Sequence, residues 1–272
     1  MIKDGLLASD MDGTVIPLDS KEKRAWEIQQ FNELIERHSN VALAYVTGRH
    51  FEMGIEGVHQ HGLPLPDIFV CDVGTTIYHQ ERKEWCLDEA YRAELRASWK
   101  GLNCMDIVPI LEDVQVLTLQ ETERQKEFKL SYYVPVEEDP AKVVGTVQER
   151  LAGAGIEANV IYSVGTMKDI GLVDVLPRIA AKDYALQYLW QKLGLAKDRV
   201  VYAGDSGNDL LAFVSGFNAI VVSNTAEPVK EEARKQAAEK GIEERIFFAS
   251  RKFTGGVMEG CFHFKLFNEP GE

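Results

Sequence analysis

The sequence has no long apolar run. Its longest unbroken one is Val41–Val46, far short of the roughly 20 residues that a membrane-spanning helix needs. It also lacks a basic excess: 43 acidic residues face 30 basic ones, for a formal charge of −13. Bulk attraction to nucleic acid or to an anionic membrane surface needs a basic face, so neither partner is expected. Cysteine is sparse. Cys71, Cys86, Cys104 and Cys261 lie far apart, with no CxxC and no histidine at ligand spacing. That pattern suggests neither a disulfide framework nor a zinc site, and reduced, packed thiols are expected. No internal repeat, low-complexity tract or basic-then-apolar leader is present, so a cytoplasmic location is expected. What the chain does have is an ordinary globular composition, 45% apolar and 27% charged over 272 residues. That is enough for one large or two ordinary domains with a sizeable core. An acidic protein that binds an anion must supply positive charge locally.

Alternating units run along the chain. Residues 2–9 read as a buried strand that ends in a polar loop. Residues 20–38 carry apolar side chains at Ala25, Trp26, Ile28, Phe31, Leu34 and Ile35, a helical spacing. Residues 41–46 and 68–71 read as central strands, 182–193 as a helix, and 199–203 and 219–222 as two further strands. Strand, polar loop and helix in repetition predict an α/β, Rossmann-like parallel sheet with helices on both faces. The intervening stretch has a different texture, with helices over 87–102 and 141–151 and strands over 127–134 and 158–163. It predicts an α+β domain inserted at 82–173 into a core made of 1–81 and 174–272.

In a parallel sheet, ligands bind beyond the carboxyl ends of the strands. Three such ends are unusually polar here. Asp10-Met11-Asp12-Gly13-Thr14 places two carboxylates two residues apart, and on its own is equally compatible with a capping Asx turn. Thr47-Gly48-Arg49 offers a hydroxyl and open backbone amides, and most such turns are merely turns. Gly204-Asp205-Ser206-Gly207-Asn208-Asp209 adds two more carboxylates, which could also form a purely structural or calcium-like acidic turn. Gathered together, these carboxylates would repel one another unless a cation is bound, and hard oxygen donors favour Mg²⁺. Lys182, on the helix before the Asp205 strand, is placed to reach the same edge. Taken singly, a helix lysine is usually a solvated surface charge.

The four motifs in this order resemble the haloacid dehalogenase superfamily of phosphohydrolases. The position of the insertion resembles the subgroup with a C2B-type α/β cap. Within that subgroup the chain is similar to the sucrose-6-phosphate phosphatases. The resemblance rests on Tyr45-Val46-Thr47-Gly48-Arg49, Val73-Gly74-Thr75, Lys129-Leu130-Ser131-Tyr132, Asp174-Val175-Leu176-Pro177 and Gly255-Gly256-Val257-Met258-Glu259-Gly260, and it spans most of the length. The chain departs from that family's usual residues at Gly13 (usually Asn), Thr76 (usually Glu) and Asp183 (often Gly).

The resemblance implies a Mg²⁺-dependent phosphomonoester hydrolase acting on a sugar phosphate, with sucrose 6-phosphate or a related disaccharide phosphate as the expected substrate. It implies Asp10 as the nucleophile that forms an aspartyl-phosphate, and Asp12 as acid and then base. Asp10, the Asp12 carbonyl and Asp205 would hold the metal, with Asp209 orienting Lys182 or a metal-bound water. Thr47, Gly48, Lys182 and Asn208 would bind the phosphate. The cap would choose the leaving group, with Lys129, Thr75 and Thr76, together with Lys168 or Asp169, as candidate sugar contacts. Arg49 is left between a phosphate contact and a helix cap, and His50, His59 and His61 are read as surface or packing groups. A small phosphorylated sugar is the expected partner, and the protein is expected as a monomer or small homo-oligomer. Two alternatives stay open: a phosphosugar mutase of the phosphomannomutase type, and a non-catalytic sugar-phosphate-binding module.

Overall fold

The computed structural model describes residues 3–18, 25–164 and 170–268. They divide into two compact units, 1–87 with 182–272 and 88–181.

The first unit runs β1 (Gly5–Ser9), α1 (Ala25–Arg37), β2 (Val41–Val46), α2 (Phe51–His61), β3 (Ile68–Cys71), β4 (Thr76–Glu81) and β5 (Glu84–Leu87). The second unit follows with α3 (Glu89–Ser98), α4 (Cys104–Leu111), β6 (Thr118–Leu119), β7 (Leu130–Pro135), α5 (Pro140–Gly153), β8 (Ala158–Val164) and β9 (Ile170–Pro177). The chain then completes the first unit with α6 (Lys182–Leu193), β10 (Val200–Gly204), α7 (Leu210–Phe213), β11 (Asn218–Val221), α8 (Glu227–Lys240), β12 (Ile246–Phe248) and α9 (Phe253–His263).

Among the described residues the first unit holds a sheet of order β12-β11-β10-β1-β2-β3-β4-β5. It is parallel from β12 to β3 and antiparallel over β4 and β5. β1, β2, β3, β10 and β11 are buried at every position, as strands covered on both faces must be. Alternate side chains serve the two faces. Leu7, Leu43, Tyr45, Phe69, Val201, Ala203 and Ile220 form one core with Phe31 of α1 and Val257, Met258 and Cys261 of α9. The residue between Val201 and Ala203, Tyr202, takes the opposite face, where its ring meets Phe213 of α7. The register pairs Ser9 with both Ala203 and Tyr45. Asp10, Gly204-Asp205 and Val46-Thr47 therefore leave the sheet at one edge.

The second unit is an antiparallel sheet of order β6-β7-β9-β8 with α3, α4 and α5. Leu130, Tyr132 and Val134 on β7 pair with Val175, Val173 and Gly171 on β9 and are buried. The opposite face carries a polar cluster: the Ser131 hydroxyl donates to Asp174 at 2.5 Å, and Lys129 lies 3.4 Å from the same carboxylate.

The expected strands at 41–46 and 68–71 and the helix at 182–193 stand where the pattern places them. The insertion is shifted, occupying 88–181 rather than 82–173. Glu84–Leu87 belongs to the first unit because it pairs with β4, and β9 belongs to the second because it pairs with β7 and β8. Lys168 and Asp169 lie outside the described residues.

The α9–sheet seam depends on a close approach. A Cβ on Gly260 would stand 2.4 Å from Ile220 Cγ1, an atom too near its own backbone to move aside. Gly260→Ala is expected to lower the unfolding free energy by about 1–3 kcal/mol through overpacking, measured by urea titration.

Candidate active site

Asp10 follows β1 directly. Its amide donates to the Ala203 carbonyl at 2.9 Å, an extension of the β1–β10 ladder that fixes the residue beside Gly204. Its carboxylate is buried, accepts from the Met11 amide at 2.8 Å and lies 3.1 Å from Lys182 Nζ. Lys182, at the start of α6, is itself only 3% exposed. Its ammonium also donates to Asp209 Oδ1 at 2.7 Å and to Asn208 Oδ1 at 3.2 Å. The presumption of a surface lysine fails here, because the ammonium sits between two buried carboxylates.

Asp209 is saturated with donors. Its Oδ1 accepts from Lys182 and from the Tyr202 hydroxyl at 2.5 Å. Its Oδ2 accepts from the Asp205 and Ser206 amides and from the Ser206 hydroxyl. Five donors use the lone pairs of one carboxylate. Asp209 thus orients Lys182 and closes the 205–209 loop, which leaves Asp10 and Asp205 as the carboxylates best placed to face a metal. Asp205 accepts from the Thr14 hydroxyl at 2.8 Å. Its carboxylate occupies the space beside Gly13, where φ is +84° and a Cβ would lie 2.2 Å from Asp205 Oδ2. The Gly13 carbonyl in turn accepts from the Asn224 side chain at 2.7 Å.

The electrostatics follow from this crowding. Burial, with a further push from Asp209, raises the Asp10 carboxyl to about 7 despite Lys182. Burial raises Asp205 to about 6, against the lowering effect of the Thr14 hydrogen bond. Burial would raise Asp209 too, but Lys182, Tyr202 and the loop amides outweigh it and hold the carboxyl low. Lys182 is held above its ordinary value because Asp209 and Asp10 overcome the cost of its burial. One lysine cannot neutralise three carboxylates. Asp10, Asp205 and Asp209 offer oxygens within 4.8 Å of one another. Of these, the hard, anionic oxygens of Asp10 and Asp205, which the donors to Asp209 leave open, fit a Mg²⁺-like ion.

Asp12 stands apart from that knot. Arg49 Nε and Nη2 donate to its Oδ2 and Oδ1 at 2.7 and 2.6 Å, forming a bidentate fork. Arg49 therefore neither caps the following helix nor stands free for phosphate; His50 takes the cap of α2. No sequence spacing links positions 12 and 49, so the pair was invisible before folding. Thr47 is buried at the end of β2, and its Oγ1 accepts from the Arg49 amide at 3.1 Å. Gly48 is exposed beside it. The loop after β3 supports this turn: the Asp72 and Val73 amides donate to the Arg49 and Thr47 carbonyls. Asp72 and Val73 both hold positive φ, 50° and 61°, a strained arrangement for a β-branched residue. Thr75 is buried, and its hydroxyl donates to the Asp72 carbonyl at 3.0 Å, so it closes this loop rather than facing a sugar. Thr76 is half-buried. Lys129, in the second unit, is paired with Asp174. Tyr202 was missed because a lone tyrosine in an apolar strand carries no signal.

A parallel sheet with an aspartate after its first strand, a threonine turn after its second, and a helix lysine paired to an acidic turn defines a phosphohydrolase core of the haloacid dehalogenase type. The chain belongs to the sucrose-6F-phosphate phosphohydrolase family, sugar-phosphate phosphatases of that type, whose sequence profile matches residues 3–265. A HAD-like hydrolase of Nitrosococcus oceani is 36% identical over 95% of this chain and 71% of its own length. Mannosylfructose-phosphate phosphatase of Agrobacterium fabrum is 27% identical over 96% of this chain and 97% of its own. The crystal structure of the sucrose-phosphatase from Synechocystis, solved with sucrose and phosphate, superposes with a TM-score of 0.77 at 29% identity. That match covers 98% of this chain and all of the Synechocystis one.

Because a lysine cannot reproduce a guanidinium fork, Arg49→Lys is expected to lower kcat/KM about tenfold by loosening Asp12. The partly exposed pair adds little to folding, so the unfolding free energy should change by less than about 1 kcal/mol. Steady-state phosphate release and denaturant unfolding check the two halves.

Proposed function

We propose that the protein hydrolyses a disaccharide phosphate, sucrose 6-phosphate or a close relative such as mannosylfructose phosphate, with Mg²⁺ as its cofactor. The observation that carries the reading is the buried Asp10 carboxylate, held against Lys182 at 3.1 Å on the edge where the parallel strands end. The named activities of the Agrobacterium and Synechocystis proteins support the choice of sugar.

An Asp10 carboxylate oxygen attacks phosphorus in line as the bond from phosphorus to the sugar oxygen breaks, leaving an aspartyl-phosphate. The departing oxygen takes a proton from Asp12. Water then attacks the phosphorus, Asp12 recovers a proton from it, and the bond to Asp10 breaks to release inorganic phosphate. In the fork described above Arg49 engages both carboxyl oxygens of Asp12, so delivery of a proton in the first half requires the fork to open. Lys182, the Thr47 hydroxyl and the Gly48 amide receive the charged phosphoryl oxygens. Asn208, whose Oδ1 already accepts from Lys182 and Ser206, leaves its amide nitrogen for the same anion. Asp10, Asp205 and the Asp12 carbonyl would hold Mg²⁺, which supplies charge neutralisation and orientation of the phosphate. Thr76, in the first unit with the phosphate-binding residues, is the proposed leaving-group contact. Glu in place of Thr76 in the resembled phosphatases makes that position a candidate for a changed sugar preference.

A panel of phosphorylated mono- and disaccharides, assayed for phosphate release, tests the reading. One disaccharide ester should dominate by at least about tenfold, and Asp10→Asn should abolish release while the melting transition persists. Equal slow action on every ester would overturn the disaccharide assignment, and a rearranged sugar phosphate without free phosphate would replace hydrolysis by mutase chemistry.

The metal assignment carries its own pH signature. At pH 6 the Asp10 carboxyl is mostly protonated and Asp205 is near its midpoint. A cation binding the carboxylate forms must then expel protons. Calorimetric Mg²⁺ titrations in buffers of different ionisation enthalpy should show release of about one to one and a half protons per ion at pH 6, falling towards zero above about pH 8 as both groups ionise unaided. Apparent affinity should climb over the same interval. A proton count of zero at pH 6 would place the ion elsewhere.

A further inference from the structure

We propose that Tyr202 is a positioning residue of the phosphoryl-transfer site, its hydroxyl fixing Asp209 and, through Asp209, the Lys182 ammonium that faces Asp10. The inference rests on the phosphatase reading of the site and adds a residue that neither the motifs nor the proposed chemistry uses.

Tyr202 lies in the middle of β10 and is fully buried. A phenol can be buried without large cost only if its hydroxyl finds a partner. Its partner is Asp209 Oδ1, at 2.5 Å, the same oxygen that receives Lys182 at 2.7 Å. The described donors to Asp209 have three origins: Lys182 from α6, three groups from the 205–206 loop, and Tyr202 from the sheet. The loop donors all hold Oδ2. At Oδ1, which faces the lysine, the strand supplies the rigid anchor, and groups held by strands keep their geometry better than groups held by loops.

The sheet makes room for the ring. In register, Tyr202 stands between Ala8 of β1 and Ala219 of β11. Two methyl side chains on its flanks leave the breadth of a phenol free on that face. Phe213 of α7 covers the ring, with centroids 6.0 Å apart at 63°. An apolar residue would fill the same volume and pack against the same Phe213. What the tyrosine adds is one oxygen, placed against the carboxylate that steers the lysine.

The chain of contacts is short: hydroxyl to Asp209, Asp209 to Lys182 Nζ, Nζ to Asp10 Oδ1 at 3.1 Å. Removing its first link frees the Asp209 carboxylate at its Oδ1 end and lets Nζ wander from the line of attack. Thr47 and Gly48 still hold the substrate phosphate, so binding suffers less than turnover.

The test compares three variants with the parent enzyme on its best phosphate ester. Tyr202→Phe keeps the ring and loses the hydroxyl. Substitution of 4-fluorophenylalanine at 202 restores the volume of the lost oxygen without a donor. Phe213→Leu loosens the packing of the ring and leaves the hydroxyl in place. The first two should lower kcat about tenfold with KM moving less than about threefold, while Phe213→Leu should lower the melting temperature and keep the parent kcat. Parent-like kcat in both hydroxyl-free variants overturns the proposal, as does a Phe213→Leu variant that loses kcat equally. Failure of both hydroxyl-free variants to fold would assign the hydroxyl to folding and overturn it as well. A parent enzyme that releases no phosphate from any ester defeats the phosphatase reading instead, a distinct result.

Discussion

A buried ammonium held between two buried carboxylates organises the first unit of this protein. Lys182 reaches Asp10 and Asp209 at 3.1 and 2.7 Å in a region almost closed to water. Removing one partner from such a set leaves an uncompensated buried charge, which costs several kcal/mol. The three groups must therefore arrive together, and they come from the end of β1, the start of α6 and the turn after β10. The parallel register supplies the meeting point, because it brings Asp10 and Asp205 out beside each other. The negative surplus that remains once Lys182 is counted leaves a hard oxygen set that fits a cation, beside the buried positive charge of Lys182 itself. An acidic protein thereby handles an anionic substrate without an overall basic face.

Much of the fold could be read directly. β2, β3 and α6 are uniform apolar runs or clean periodic segments bounded by polar turns, and they stand where the pattern puts them. The β4–β5 hairpin could not be read. It turns through Arg82 and Lys83, both at positive φ, and lacks the Asn-Gly or Asp-Gly pair that announces such a turn. That omission shifted the start of the insertion, since residues 84–87 fall within the 82–173 stretch until their pairing with β4 is seen. The short α4 was hidden for a related reason: Pro109 lies inside it, and proline ordinarily argues against a helix.

The site divides in the same way. Asp10, Lys182, Asp205 and Asp209 were legible because their motifs combine residue types that have few reasons to occur together. The relation of Arg49 to Asp12 was not, because it joins side chains 37 residues apart and depends on how two loops pack. Thr75 reads from its motif as a candidate sugar contact, yet its loop folds inward so that the hydroxyl serves the Asp72 carbonyl. Pattern reveals which groups are present, while the geometry of loops decides what each group is free to do.

The missing side chain at position 13 decides where Asp205 can rest. Asp205 rests in the very volume that a β-carbon there would claim, and the backbone takes a conformation that other residues accept poorly. An asparagine there, as in the sucrose-6-phosphate phosphatases, would require the Asp205 carboxylate to leave its seat. A β-carbon at 13 and the present seat of Asp205 exclude one another, so the glycine and the resting place of the acid form a single unit.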